Sequence, residues 1–270
     1  MIATFHHRDF QDTRALLQAK KEQGVCISCC VPTLNEGSTI GEVVAALKAS
    51  PLTDEVVVID SGSGDGTREA ASAAGADIYQ ASEIRPELGA VQGKGENLWR
   101  SLHVLHGDIV VFIDGDIVDL QPHFVSGLTG PLLTRPELQY VKAFYERPGG
   151  GGRVTELLMR PLLRQFFPEL AGIRQPLAGE CAARRTLLEK LSFPVGYSIE
   201  AAHLIDVAKR CGIGAIAQTD LEQRIHRTRS LTELGAMSET ILCTVLMRLH
   251  AQGRLREAVR AEQERPPISP

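Results

Sequence analysis

Asp108-Ile109-Val110-Val111-Phe112-Ile113-Asp114-Gly115-Asp116 holds an unbroken apolar run, Ile109 to Ile113, followed by two carboxylates separated by one glycine. A continuous apolar run, as opposed to an alternating one, marks a strand buried on both faces, as in a parallel sheet covered by helices. Working back towards the amino terminus, residues 25–31 and 55–59 read the same way. Between them residues 39–47 carry Ile40, Val43, Val44 and Leu47 at helical spacing. Thr39 with Glu42 three residues later has capping-box spacing and sets that helix start just after Pro32-Thr33-Leu34-Asn35-Glu36. A helix over 67–74 stops at Gly75, a third strand follows at 77–79, and a polar loop spans 81–93. A helix from about Glu96 then places Leu98, Leu102 and Leu105 on one face. The run at 108–113 is thus the fourth strand of a β/α series. Ligands of such sheets bind where strands deliver their carboxyl ends.

Downstream, residues 139–145 read as a strand and 149–152 as a glycine loop opening a helix from about Arg153. Helices are expected around 184–191 and 199–211, a strand near 215–218, and a long helix from about Thr232. That last helix has an apolar face of Leu234, Met237, Ile241, Val245 and Leu249, suited to closing the core or to pairing with a second subunit. Residues 265–270, with three prolines, are expected to fray. The 270 residues carry 29 Lys and Arg against 33 Asp and Glu, a net charge of −4, too acidic for a chain whose main task is gripping nucleic acid. No apolar stretch approaches the roughly 18–20 residues that span a bilayer, and the first residues lack the apolar centre of a secretory signal. The expected setting is the cytoplasm, with no integral membrane contact. The six cysteines are too few for a disulfide framework, and Cys26, Cys29 and Cys30 sit in an apolar run as small hydrophobes rather than as a metal or redox site.

Chemistry concentrates at the strand ends. Asp114 and Asp116, two residues apart on an extended segment, point to one side, and Gly115 lets a ligand approach the backbone. Paired carboxylates suit a hard divalent cation shared with substrate phosphates; an acidic Asp-Gly turn is the plainer alternative. Loops 32–36 and 60–67 open at the same edge and offer rests for a nucleotide. Their glycines, at 62, 64 and 66, do not form a dinucleotide fingerprint. Gly93-Lys94-Gly95-Glu96 presents a lysine and free helix amides to a phosphate without the spacing of a P-loop, and reads equally well as an exposed turn. Residues 149–152 followed by Arg153 read as an anion cup of backbone N–H groups, helix dipole and guanidinium fork. His226 offers an imidazole that can complete a metal site begun by Asp116, with Arg224 alternating to the same side; a surface histidine between arginines is the plainer reading.

In this order the motifs resemble the glucosyl-3-phosphoglycerate synthases and related mannosyl-3-phosphoglycerate synthases, retaining glycosyltransferases of GT-A fold. The resemblance covers residues 25–247 and is most specific in GKGENLWRSL, GDIVVFIDGD, GGGRVTELLMRPLL, QPLAGE and GAIAQTDLEQRIHR. It implies an α/β fold whose mostly parallel sheet is flanked by helices. Residues 1–24 would be an amino-terminal extension, 25–116 a Rossmann-like nucleotide-sugar half, 117–250 the acceptor half of the same domain, and 251–270 a tail. By resemblance, Pro32, Leu34, Glu36 and Ser61 hold the nucleotide, with Lys94 near its base or phosphates. Asp114, Gly115 and Asp116 form the nucleotide-sugar and metal motif, and Asp116 and His226 are the protein ligands of Mg²⁺ or Mn²⁺. Gly152, Arg153 and Thr155 form the phosphoglycerate cup, with Tyr197, Glu200 and Arg224 beside the sugar and acceptor. Asp114, Asp116 and Glu200 are the implied catalytic carboxylates. Two departures bear on sugar preference: Gly115 stands where relatives often carry Ser, and Ala178 likewise.

The expectation is metal-dependent transfer of a hexose, glucose first, from a UDP- or GDP-sugar to the 2-hydroxyl of 3-phosphoglycerate by a homodimer. Transfer of mannose from GDP-mannose is the alternative within the family. Transfer to a polyprenyl phosphate lacks a membrane helix or a basic amphipathic surface, and a non-catalytic nucleotide-sugar sensor has no need of intact Asp114, Asp116, Lys94 and His226.

Overall fold

The computed structural model describes residues 2–147, 152–226, 230–256 and 263–269. Its first half runs β1 (Ala3–His6), α1 (Thr13–Gln23), β2 (Ile27–Thr33), α2 (Ile40–Ala49), β3 (Glu55–Asp60), α3 (Thr67–Ala73), β4 (Asp77–Gln80), α4 (Lys94–Ser101) and β5 (Ile109–Phe112). It continues β6 (Ile117–Val118), α5 (His123–Thr134), β7 (Tyr140–Glu146), α6 (Arg160–Phe166), β8 (Cys181–Arg184), α7 (Arg185–Leu188) and β9 (Phe193–Pro194). The last elements are α8 (Ile199–Cys211), β10 (Ile216–Gln223), β11 (Ile225–His226), α9 (Leu231–Ala251) and β12 (Glu264–Arg265).

The main sheet has the order β1-β10-β7-β8-β5-β2-β3-β4. Every pairing is parallel except those of β8, which runs antiparallel to both β5 and β7. The strand pattern has the expected cause: Val110 and Phe112 enter one apolar layer, Ile109, Val111 and Ile113 the other, and all five are buried. Burying each such side chain contributes about 1.5–3 kcal/mol, which a strand wet on one face would forfeit. The topology therefore collects the carboxyl ends of β2, β3, β5, β7 and β10 and the amino end of β8 along one edge.

Several expectations need correction. The capping box at Thr39 does not form; its hydroxyl donates instead to the Gly115 carbonyl at 2.6 Å, tying the start of α2 to the acidic turn after β5. The amino-terminal segment joins the main body of the fold: β1 adds the edge strand beside β10, and α1 packs on α5. The helix expected around 184–191 shrinks to the single turn α7, because residues 181–184 form β8 in the middle of the sheet. Alanine-rich Cys181-Ala182-Ala183-Arg184 has no strand propensity of its own; its neighbours β5 and β7 impose the conformation. Helix α4 starts at Lys94, earlier than expected. Of the thiols, Cys29 and Cys30 are buried in the sheet as expected, with burial pushing each up to about 12, while Cys26 is exposed.

The carboxyl terminus is packed, not frayed, over residues 263–269. Here β12 pairs with β9, Trp99 Nε1 donates to the Pro266 carbonyl at 3.0 Å, and Arg265 forms a fork on buried Glu96 with two bonds of 2.7 Å. Arg100 holds the same carboxylate at 2.7 Å and also donates to the Ala81, Ile84 and Gly89 carbonyls. This latch fixes α4, the helix that carries Lys94. Arg265→Ala is expected to cost about 2–4 kcal/mol, since it strips a charge-assisted fork from a buried carboxylate, measured as a drop in the denaturant midpoint with an unchanged slope.

His203, on α8 three residues after Glu200, is buried with its Nε2 unpartnered and its ring edge-on to Phe193. Burial, aided by Lys142 and Arg248, pushes its pKa from 6.5 down to about 3. A base held neutral in the fold but protonated in the unfolded chain costs stability as pH falls from about 6.5 towards 3, and nothing above that window. Unfolding measurements at pH 7.5 and pH 5 should differ by about 2 kcal/mol from this group, and His203→Leu should flatten that part of the profile.

Candidate active site

The loops after β2 and β3 are stitched into one wall. Asn35, in the left-handed region at φ 59°, donates its backbone N–H to Ser63 Oγ at 2.8 Å and accepts from Gly64 N at 3.1 Å. Glu36 N donates to Thr67 Oγ1 at 2.9 Å. Asp60, fully buried, accepts from the amides of Gly62 and Ser63 and fixes the turn. Asn97 on α4 bonds Ser61 Oγ and the Ile59 carbonyl, so it sets the hydroxyl of Ser61. Gly115 closes against this wall: a Cβ there would stand 3.0 Å from the Thr33 methyl and 3.4 Å from Glu36 Cγ.

Beside the wall lies a charge node. Arg224, delivered just past β10, is buried. Its Nη2 bonds Asp114 at 3.0 Å and Asp116 at 2.9 Å, while its Nε lies 3.0 Å from Glu180. Lys94 pairs with Asp114 and, at 2.6 Å, with Glu200. Glu180, just before β8, also accepts from the Tyr145 hydroxyl at 2.5 Å. Burial would raise Asp114, but Lys94 and Arg224 outweigh it and hold its carboxyl below the usual carboxylate range. Burial likewise opposes charge on Lys94 and Arg224, and their carboxylate partners drive both upward. At Glu180 burial prevails over Arg224 and the pKa rises.

These groups face a cleft of about 690 Å³. The structure brings Pro32, Leu34, Glu36, Ser61, Lys94, Asp114, Gly115, Asp116, Gly152, Arg153, Thr155, Tyr197, Glu200 and Arg224 together in its lining. Gly149, Gly150 and Gly151 of the expected cup lie outside the described residues, as do residues 227–229. The helix after Gly152 does begin where expected, passes through a π-turn at 155–159 and continues as α6. For His226 the backbone is placed: β11 pairs antiparallel with β6, setting residue 226 opposite Ile117, the neighbour of Asp116.

One expected feature is absent. The helix amides beside Lys94 are not open to a phosphate, since Gly95 N donates to the Gly196 carbonyl at 3.2 Å and Glu96 N to that of Val195 at 3.0 Å. Gly95 permits this approach; a Cβ would meet the Pro194 carbonyl oxygen at 1.7 Å. From this motif the cleft receives Gly93 and the side chain of Lys94. Sequence reading also missed Tyr145, Asn97 and the node role of Glu180, and it did not place Leu234, Met237 and Ile241 of α9 in the cleft lining. An acid between Gly179 and the short apolar run after it was the available signal for Glu180.

The oxygen-rich carboxylate pair, already holding one guanidinium between them, fits a hard divalent cation. A model of glycosyl transferase family 2 matches residues 28–191. The glucosyl-3-phosphoglycerate synthase of Petrotoga mobilis is 49% identical over 266 residues, covering 93% of this chain and 82% of that protein. The chain belongs to glycosyl transferase family 2 and, within it, to the glucosyl- and mannosyl-3-phosphoglycerate synthases. The crystal structure of mannosyl-3-phosphoglycerate synthase from Rubrobacter xylanophilus superimposes with a TM-score of 0.93 at 37% identity, covering 98% of this chain and 94% of that one. Glucosyl-3-phosphoglycerate synthase from Mycobacterium tuberculosis, solved with Mn²⁺, UDP-glucose and phosphoglyceric acid, gives 0.91 at 44% identity, covering 99% and 98%. The α/β architecture is thus GT-A-like, as its family implies. No helix among the described residues is long and apolar enough to cross a membrane.

Gly179 holds the node together by its lack of a side chain: a Cβ would lie 2.1 Å from Asp114 Oδ2 and 2.6 Å from its Cγ. Gly179→Ala must push Asp114 out of place, and kcat/KM for glycosyl transfer should fall on the order of 10²-fold in steady-state assays while the circular dichroism spectrum is retained.

Proposed function

We propose that this chain transfers glucose from UDP-glucose to the 2-hydroxyl of 3-phosphoglycerate, releasing UDP, with a divalent cation held by Asp116 and His226. The observation that carries the reading is the charge node, with Lys94 and Arg224 poised on Asp114 and Asp116 at the mouth of a cleft built from the nucleotide-side loops and the Gly152–Thr155 helix start. In the transfer the bond from the sugar C1 to the donor diphosphate breaks, a bond from C1 to the acceptor oxygen forms, and the hydroxyl proton leaves with the diphosphate. Bound Mg²⁺ or Mn²⁺ would supply neutralising charge to the diphosphate as it departs.

Each chain group then has a task. The wall of Pro32, Leu34, Glu36 and Ser61 seats the nucleotide. Lys94 and Arg224, both largely buried, add positive charge beside the leaving group, where it counts for more than in water. Arg153, Gly152 and Thr155 hold the acceptor by its phosphate and carboxylate and so orient its hydroxyl. Glu200, tied to Lys94, and Tyr197 take the sugar. Asp114, Asp116, Glu180 and Glu200 are each committed to a cation, which supports attack by the acceptor itself on the face the diphosphate leaves rather than through a covalent sugar adduct. The same proposal takes in a homodimer and a cytoplasmic setting, the latter supported by six unpaired cysteines.

The test incubates the protein with UDP-glucose, GDP-glucose or GDP-mannose, with and without 3-phosphoglycerate and Mg²⁺, and measures nucleotide release and product. UDP-glucose should be the best donor, and release should require both acceptor and metal. Asp116→Ala should lower kcat by on the order of 10²–10³-fold. Release that ignores 3-phosphoglycerate would remove the acceptor assignment, and GDP-mannose as the preferred donor would remove the glucose assignment.

A further inference from the structure

Outside the cleft, at the same edge of the sheet, three potential ligands gather where the amino-terminal strand meets β10. Parallel pairing of β1 with β10 sets His6 opposite Asp220. Just beyond, β10 bulges between Asp220 and Gln223, and Glu222 adopts a left-handed φ of 67°. As a result Glu222 Oε1 lies 3.2 Å from His7 Nε2 and 3.9 Å from His6 Nε2. One ligand atom from each of the three residues lies within 4.8 Å of the other two. Zinc bonds of about 2.0–2.2 Å at tetrahedral angles place neighbouring donors about 3.3–3.6 Å apart, so the three donors stand close to a coordinating arrangement.

A second observation points to a ligand. His7 is 7% exposed, and neither of its ring nitrogens has a hydrogen-bond partner; Nε2 approaches the Glu222 carboxylate but off the line of a hydrogen bond. A buried imidazole in a folded protein ordinarily finds a partner for its nitrogens. The His7 ring is held in place by His123, 4.0 Å away centre to centre, whose own Nε2 lies 3.3 Å from the Leu221 carbonyl.

We propose that His6, His7 and Glu222 form a metal site for zinc or a similar borderline divalent transition ion, with water completing the coordination. Two imidazoles and one carboxylate favour such an ion over Mg²⁺, which prefers oxygen donors throughout. Two existing contacts give way when it binds. The Arg8 guanidinium, 2.5 Å from Glu222 Oε1 and 65% exposed, swings into water. The Arg8 amide, 3.2 Å from His6 Nδ1, loses its acceptor as the ring proton moves to Nδ1 and Nε2 turns to the ion. Glu222 lies two residues before Arg224, so the ion clamps the edge strand to the segment that supplies the guanidinium of the charge node.

The experiment loads the full chain with Zn²⁺ in excess Mg²⁺, dialyses it, and counts zinc by atomic absorption beside a thermal melt. Wild type should keep one equivalent more than His6→Ala and Glu222→Gln, both of which alter exposed or half-exposed groups. It should also show a zinc-dependent rise in melting midpoint that both variants lose. Asp116→Ala should keep that equivalent, and the exposed thiols contribute equally to every variant. Equal zinc in wild type and both variants, or loss of the same equivalent in Asp116→Ala, overturns the site.

Discussion

One buried guanidinium organises this molecule's functional edge. Arg224 reaches carboxylates from two separate parts of the chain, the Asp114–Asp116 turn after β5 and Glu180 ahead of β8, while its own backbone extends β10. Charges taken from water must be paired and hydrogen-bonded or they destabilise the fold. The node is therefore a demand on tertiary structure: the acidic turn can sit half-buried at the mouth of a cleft only if β5, β8 and β10 converge. Antiparallel β8, wedged between two parallel strands, meets that demand by presenting its amino end where the others present their carboxyl ends.

The same arrangement links stability to chemistry. Lys94 and Arg224 compensate the carboxylates that line the cleft, and in the proposed reaction these are the cations that the diphosphate draws on. Glu180 stands behind Arg224 with Tyr145 at its other oxygen, so the guanidinium keeps one fixed anchor when its other partners change. Around the node, glycines mark where backbone and carboxylate approach too closely for a side chain, Gly179 against Asp114 and Gly95 against Pro194. Helix α4 owes its position to the Glu96, Arg100 and Arg265 latch, so the carboxyl terminus supports Lys94 from the opposite side of the helix.

The buried strands were legible because a sheet covered on both faces favours continuous apolar residues, and 29–32, 56–59 and 109–113 have them. The acidic turn was legible for the same reason, as the first polar residues after such a run. Thr39 shows the limit: its capping spacing was present, but a carbonyl from Gly115, far away in sequence, competed for the hydroxyl and won. The helix amides beside Lys94 were read as open because nothing in the local pattern announces that residues 194–196 return to occupy them. Strand β8 and the docked residues 263–269 went unread because alanines and prolines carry little periodic signal, and their partners are distant in the chain.

What the amino-acid sequence determined by itself was the class of the fold, its continuous apolar strands and the acidic turn that follows one of them, since these rest on local composition and spacing; the ordered family motifs supplied part of the cleft lining, while Asn97, Gly179, Leu234, Met237 and Ile241 were placed there by the structure. What only the tertiary structure decided was which charges meet: that Arg224 spans Asp114 and Asp116, that Glu180 lies beneath it, that Lys94 bridges to Glu200, and that His6 and His7 face Glu222. Ion pairing depends on distances of a few ångströms between groups mostly more than a hundred residues apart, and such distances exist only once the chain has packed.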